Sequence, residues 1–292
     1  MKGKIYKGIA GFYYVHTKDG NVWACKAKGI FRKEGIRPLV GDDVEIEITH
    51  EGDMEGNITE ILPRKNSLIR PAVANADFAL VIFAVKKPDP NFYLLDRFLV
   101  TMEKQNLPVV ICFNKIDFSN DEEMESLRAL YEPAGYKVIF ISAKEKTGLD
   151  NLLGVMKGKT AVVAGPSGVG KSTTINALAK EKTMETGEIS KKLGRGKHTT
   201  RHSEIIEIAE GTYIIDTPGF TSLNVEEPDE KMLSDYFPEM REINNECRFA
   251  GCAHIKEPGC KVKEALEEGK IPRQRYEHYC MMYEEIKDKR KY

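Results

Sequence analysis

From Lys4 to about Leu62 apolar and polar positions alternate in short runs: GKIYKGIAGFYYVHT, NVWACKAKG, Val44 to Ile48 and Asn57 to Leu62. Turn signals separate them at Asp19-Gly20, Gly41-Asp42 and Gly52-Asp53. Short strands with no helix-period segment predict a small closed barrel. An OB-fold is the first expectation, because such barrels bind RNA on one strand face, and an SH3-like barrel or a structural cap is the alternative.

Pro63 to Asp77 carries two prolines and no period, so it reads as a linker with a boundary near residue 68. The pattern then changes. Phe78 to Val85 (FALVIFAV) is a continuous apolar run, Leu94 to Gln105 has helical spacing, and Pro108 to Phe113 (PVVICF) is a second apolar run. Strand, helix and strand make a βαβ unit with strands buried on both faces. A third strand, Lys137 to Ile141, precedes a helix with Leu149, Leu152, Leu153 and Met156 on one face. A fourth, Ala161 to Ala164, leads into a segment with Ile175, Leu178 and Ala179 on one face. After residue 222 the chain reads as helical over Glu230 to Tyr236, Lys261 to Glu268 and Pro272 to Lys287, with Tyr276, Tyr279, Cys280 and Tyr283 as a core stripe.

A length of 292 residues implies two or three domains. Net charge is −1, so any nucleic-acid surface is local. Through Lys65 there are 11 Lys and Arg against 10 Asp and Glu, so charge does not select RNA for the barrel. No apolar run approaches the roughly 20 residues of a membrane span. The first residues, MKGKIYKGIAGF, lack the apolar core of a signal peptide. A cytosolic monomer without membrane contact is expected. Six cysteines are too few for a disulfide scaffold.

Gly165-Pro166-Ser167-Gly168-Val169-Gly170-Lys171-Ser172 matches GxxxxGK[ST] between a strand and a helix. Backbone N–H groups there would cradle phosphates, Lys171 would reach the β/γ phosphates, and Ser172, with Thr173 beside it, would meet Mg²⁺ and the nucleotide. Asn114-Lys115-Ile116-Asp117 follows the second buried strand, and Ser142-Ala143-Lys144 the third. Asp117 can accept from guanine N1–H and the exocyclic amine, two donors that adenine lacks. Asn114 would pair with the O6/N7 edge or brace the phosphate loop. The Lys115 stem would cover the base, and the Ala143 N–H would meet O6. Both segments precede the phosphate loop, whereas most GTPases place them after it. The chain is therefore expected to be circularly permuted, with the join at Lys157-Gly158-Lys159.

Asp216-Thr217-Pro218-Gly219 ends an apolar run, so Asp216 fits the Mg²⁺ carboxylate and the Gly219 N–H the γ-phosphate sensor. Thr199 or Thr200 would supply the switch hydroxyl. Phe220 stands where many GTPases carry a water-orienting Gln, so His198 becomes the candidate for that role and His202 the reserve. Between Lys180 and His202 seven Lys or Arg face three Glu, a composition suited to phosphate contact. Cys247, Cys252, His254 and Cys260, within fourteen residues, form a Cys₃His set suited to one Zn²⁺.

The permuted motifs, the RGKHTTRH switch, the leading barrel and the trailing CxxxxCxHxxxxxC together resemble the ribosome-small-subunit-dependent GTPase A family along nearly the whole chain. The resemblance implies an OB-fold over 1–68, a permuted P-loop GTPase domain over 69–222 and a mostly helical zinc domain over 223–292. It also implies hydrolysis of GTP to GDP, slow alone and stimulated by the small subunit during its late maturation, contact with ribosomal RNA, and a water-orienting His198.

Overall fold

The computed structural model describes residues 1–69, 71–186, 203–216 and 229–289, the side chains of 180–186 excepted. The barrel consists of β1 (Lys2–Ile9), β2 (Phe12–Thr17), β3 (Val22–Ala27), β4 (Asp43–His50) and β5 (Glu55–Ile61). β1 pairs antiparallel with β2 and β4, β2 with β3, and β4 with β5, while β3 runs parallel to β5. That ring closes on itself in the strand order of an OB-fold. Alternate residues Val15, Trp23, Cys25, Val44, Ile46 and Ile58 fill it. A five-residue helix α1 (Gly29–Lys33) lies between β3 and β4 and adds Phe31 to this core. The sequence pattern missed it, because one turn and a half is too short to show a helical period.

Pro63 to Asp77 is more than a linker. It contains the hairpin β6 (Ser67–Leu68) and β7 (Val73–Ala74). Asn66 bonds both backbone groups of Ala76, at 2.6 and 3.1 Å, and Asn75 Nδ2 donates to Gly41 O at 3.0 Å. Arg64 grips the buried Asp42 carboxylate of the barrel through bonds of 2.7 and 2.8 Å. Side-chain amides here do what a strand ladder does elsewhere, and they leave no hydrophobic period.

In chain order there follow β8 (Phe78–Ala84), α2 (Phe92–Lys104), β9 (Val109–Asn114), α3 (Asp121–Tyr131), β10 (Lys137–Phe140), α4 (Leu149–Met156) and β11 (Thr160–Ala164). Next come α5 (Lys171–Thr186), β12 (Glu204–Ala209), β13 (Thr212–Asp216), α6 (Pro238–Arg241), α7 (Lys261–Glu267) and α8 (Arg273–Lys289). The residues group into two compact bodies. The first holds the barrel, the hairpin, β11 parallel to β13, and β12 antiparallel to β13. At the join, the Gly158 N–H donates to Thr212 Oγ1 at 3.0 Å.

The second body holds nearly all of β8, with β9 and β10, mutually parallel, together with the phosphate loop and the C-terminal helices. Every residue of β8 and β9 is buried, which is why both read as unbroken apolar runs. The C-terminal helices build their own core around Leu233, Phe237, Met240 and Val262, and Val100 of α2 joins it. Across that contact the fully buried Arg275 of α8 donates twice to Glu239, at 2.7 and 3.0 Å, and once to Asp96 of α2 at 2.5 Å. Among the described residues no helix is long and apolar enough to cross a membrane.

Candidate functional site

β9 ends on Asn114, and the turn after it places Lys115 in the left-handed region (φ 66°) before the short helical turn Ile116–Phe118. Asn114 is buried and reads two other segments at once. Its Nδ2 donates to Val169 O of the phosphate loop at 2.9 Å, and its Oδ1 accepts the Ala143 N–H at 3.0 Å and the Lys115 N–H at 2.8 Å. Of the two roles open to Asn114, the structure has the brace. The Ala143 N–H, expected at guanine O6, donates here to this carboxamide, because buried amide groups pair with one another. Lys115 Nζ donates to Gly168 O at 2.8 Å and also to Lys87 O.

Two glycines explain how closely the chain packs here. A Cβ on Gly170 would lie 2.3 Å from Asn114 Nδ2, and one on Gly165 would lie 2.1 Å from Ile82 O of β8. Both positions have positive φ, 94° and 134°, so only glycine fits. Lys171 Nζ donates to Gly165 O and Pro166 O at 2.7 and 2.6 Å, curling the loop around its own ammonium.

Asp117 is exposed, and Ser142 Oγ donates to its Oδ1 at 2.7 Å, which fixes the carboxylate while leaving the other oxygen for a ligand. The Asn114 to Asp117 corner and the Gly165 to Lys171 loop thus converge within one body. Lys144 is different, since its ammonium projects outward to Glu145 at 2.9 Å. Ser167, Ser172 and Thr173 are exposed, the last two in the first turn of α5, and Asp216 closes β13 half-buried. A hydroxyl and a carboxylate are the hard oxygen donors that Mg²⁺ takes, so Ser172 and Asp216 fit that ion chemically. His198, Thr199, Thr200, His202, Gly219 and Phe220 lie outside the described residues.

Replacing Asn114 with Ala strands the Val169 carbonyl and the Ala143 N–H together. We expect a loss of about 1–3 kcal/mol of stability and at least about tenfold in nucleotide affinity, read by urea denaturation and by GDP titration.

The second cluster sits at the C-terminal end. Ligand atoms of Cys247, Cys252, His254 and Cys260 all lie within 4.8 Å of one another. His254 Nδ1 is 3.6 Å from Cys247 Sγ and 3.4 Å from Cys260 Sγ, and the two sulfurs are 3.9 Å apart. Zn–S bonds of about 2.3 Å and Zn–N bonds of about 2.0–2.1 Å give tetrahedral edges of about 3.8 Å between sulfurs and 3.6 Å from sulfur to nitrogen. The residues therefore fit Zn²⁺. Burial pushes the Cys252 thiol up to about 12, with Cys260 and Cys247 adding to the rise, and burial also raises Cys260 and lowers the His254 imidazole. A divalent cation supplies the charge that lets three such thiols ionise together.

The tyrosine stripe of α8 is core, as expected, but it also positions this loop. Tyr276 OH donates to His254 O at 2.7 Å and Tyr279 OH to Ala253 O at 2.8 Å. Tyrosine rather than leucine on a buried face was the available signal, since a buried hydroxyl needs a partner. Nothing in the sequence marked Lys87, whose carbonyl meets Lys115 and whose ammonium lies 4.1 Å from the centre of the Phe118 ring.

Comparison with known proteins gives a consistent answer. Residues 61–226 match the family described as RsgA GTPase, and residues 2–58 match the RsgA N-terminal domain. The small ribosomal subunit biogenesis GTPase RsgA of Agathobacter rectalis is 56% identical over 302 residues, covering all of both chains. That of Alkaliphilus metalliredigens is 49% identical, over 100% of this chain and 99% of its own. The crystal structure of YloQ, a circularly permuted GTPase, superposes with a TM-score of 0.80 at 36% identity, over 99% of this chain and 95% of its own. YjeQ from Thermotoga maritima gives 0.81 at 35% identity, over 98% of each.

Proposed function

The chain belongs to the RsgA GTPase family, and on that premise we propose that it hydrolyses GTP to GDP and phosphate on the small ribosomal subunit, during that subunit's late maturation. The relatives' names as small ribosomal subunit biogenesis GTPases support the partner. The observation that carries the chemistry is Asn114, which ties the guanine-reading corner to the phosphate loop through one carboxamide.

In this reading Asp117 selects guanine, held by Ser142, and Lys115 and Ala143 complete the base side with Lys144 at its rim. Gly165 to Gly170 receive the phosphates, and Lys171 exchanges its loop carbonyls for the β/γ oxygens. Ser172 and Asp216 would hold Mg²⁺, which when bound neutralises the charge on those oxygens. Thr173 supports the same site, Thr199 or Thr200 would complete the Mg²⁺ shell, the Gly219 N–H would meet the γ-phosphate, and His198 would orient the attacking water, since the Phe220 ring has no polar atom to do so. The Cys₃His cluster takes Zn²⁺ and anchors the C-terminal helices. The division into 1–68, 69–222 and 223–292 has the barrel and the zinc domain gripping ribosomal RNA. The protein works as a cytoplasmic monomer, without membrane contact.

The test is GTP turnover by the full chain alone and with purified small subunits. Partner-assisted GTPases gain about 10³ to 10⁵ in rate, and a gain approaching that range is expected here. No gain with small subunits, against a gain with another partner, would remove the ribosomal assignment and leave the pocket.

A further inference from the structure

Within the first body the barrel pairs with the hairpin of β12 and β13. β12 starts at Glu204, two residues after His202, and β13 ends on Asp216, so each end of the hairpin leads into a candidate switch. β12 pairs in turn with β1 of the barrel. Lys7 stands opposite Glu204, and Glu204 stands opposite Asp216. Residues directly opposite in antiparallel strands share a face, with Cβ atoms about 4.5–5.5 Å apart.

Three strands therefore carry a row of charges: a barrel ammonium, a middle carboxylate and the carboxylate at the end of β13. Lys7 Nζ lies 3.7 Å from Glu204 Oε2, with the two side chains 35% and 27% exposed. Tyr213, an odd number of residues from Asp216, faces the other side, where its ring meets Tyr6 of β1 edge-on at 6.0 Å. Tyr6 is itself stacked on His16 of β2 at 3.6 Å. The joint is fastened on both faces, by charge on one and by aromatic rings on the other.

Two carboxylates side by side repel, and a cation beside either one relieves the repulsion. We propose that Glu204 is a positioning residue for the Asp216 carboxylate and that Lys7 of the barrel tunes it, so that the barrel sets how firmly the Mg²⁺–nucleotide complex is held. The inference rests on Asp216 being the metal-side carboxylate. A barrel that shifts on its RNA target loosens Lys7 from Glu204, and the added negative field strengthens the hold on the metal. The binding domain thus acts on the metal-side carboxylate through the hairpin.

The test uses the full chain and follows release of a fluorescent GDP analogue while Mg²⁺ is titrated from zero. Its readout is the Mg²⁺ concentration that half-slows release, which needs no turnover. Glu204→Gln is expected to raise that concentration at least about threefold, and Lys7→Gln to lower it by a similar factor, as the field of one charge several ångströms away requires. Lys7→Arg should keep the original value. If Asp216→Asn abolishes the Mg²⁺ effect while neither Lys7→Gln nor Glu204→Gln moves it, the charge row is overturned and the nucleotide reading stands. If Asp216→Asn also changes nothing, the metal-side assignment fails and this inference fails with it. Should Glu204→Gln not fold, the contrast between Gln and Arg at the partly exposed Lys7 decides the matter alone.

Discussion

Asp117→Asn is expected to cut affinity for GDP and GTP by about 10² to 10⁴-fold and to transfer preference toward xanthine nucleotides. In the proposed pocket the carboxylate offers guanine acceptor positions for N1–H and the exocyclic amine, and hydrogen bonds to a charged group are worth about 1.5–3 kcal/mol each. An asparagine turns a donor toward those donors, whereas xanthine replaces the amine with a carbonyl that accepts it. The substitution should not disturb the fold, since Ser142 Oγ, now donating to Asp117 Oδ1 at 2.7 Å, can donate equally to an amide oxygen. Competition between GDP and xanthosine diphosphate for the variant reads the switch. Unchanged preference would mean that Asp117 does not read the base.

The second large effect concerns the metal cluster. Cys260→Ser, or stripping with a strong chelator, should take bound zinc from one ion per chain to none and melt the C-terminal helices. Apparent binding energies of structural zinc in small fingers are about 10–16 kcal/mol. The loop from Ala253 to Glu257 has little apolar content, and Glu257 holds it by accepting from the backbone N–H groups of Ala253, Ile255 and Lys256. Without the ion, Tyr276 and Tyr279 lose the fixed carbonyls they donate to. Elemental analysis with far-ultraviolet circular dichroism checks both parts. A zinc-free variant with an unchanged melting curve would show the cluster to be merely four neighbouring side chains.

Much of this candidate site is legible in the sequence because its parts are local. GPSGVGKS, NKID and SAK each follow a buried apolar run, and the strand before each motif sets where its turn emerges. What escaped was long-range or too short to be periodic. Helix α1 spans only five residues. The hairpin after the barrel is fixed by Asn66 and Asn75, which look like any turn residues in sequence. Lys87 meets Lys115 across 28 positions, and Arg275 meets Asp96 across 179, separations at which no residue pattern announces a partner. The bond from the Ala143 N–H is hidden for a related reason, since its acceptor, the Asn114 carboxamide, arrives from another strand.

The most direct measurement is equilibrium binding of GDP and ADP to the full chain by calorimetry, in one buffer with Mg²⁺. If the Asn114 to Asp117 corner and the Lys171 loop enclose one guanine nucleotide, GDP should bind with one site per chain and at least about 10²-fold more tightly than ADP, because adenine offers Asp117 no donor. Equal affinities for the two nucleotides would contradict it.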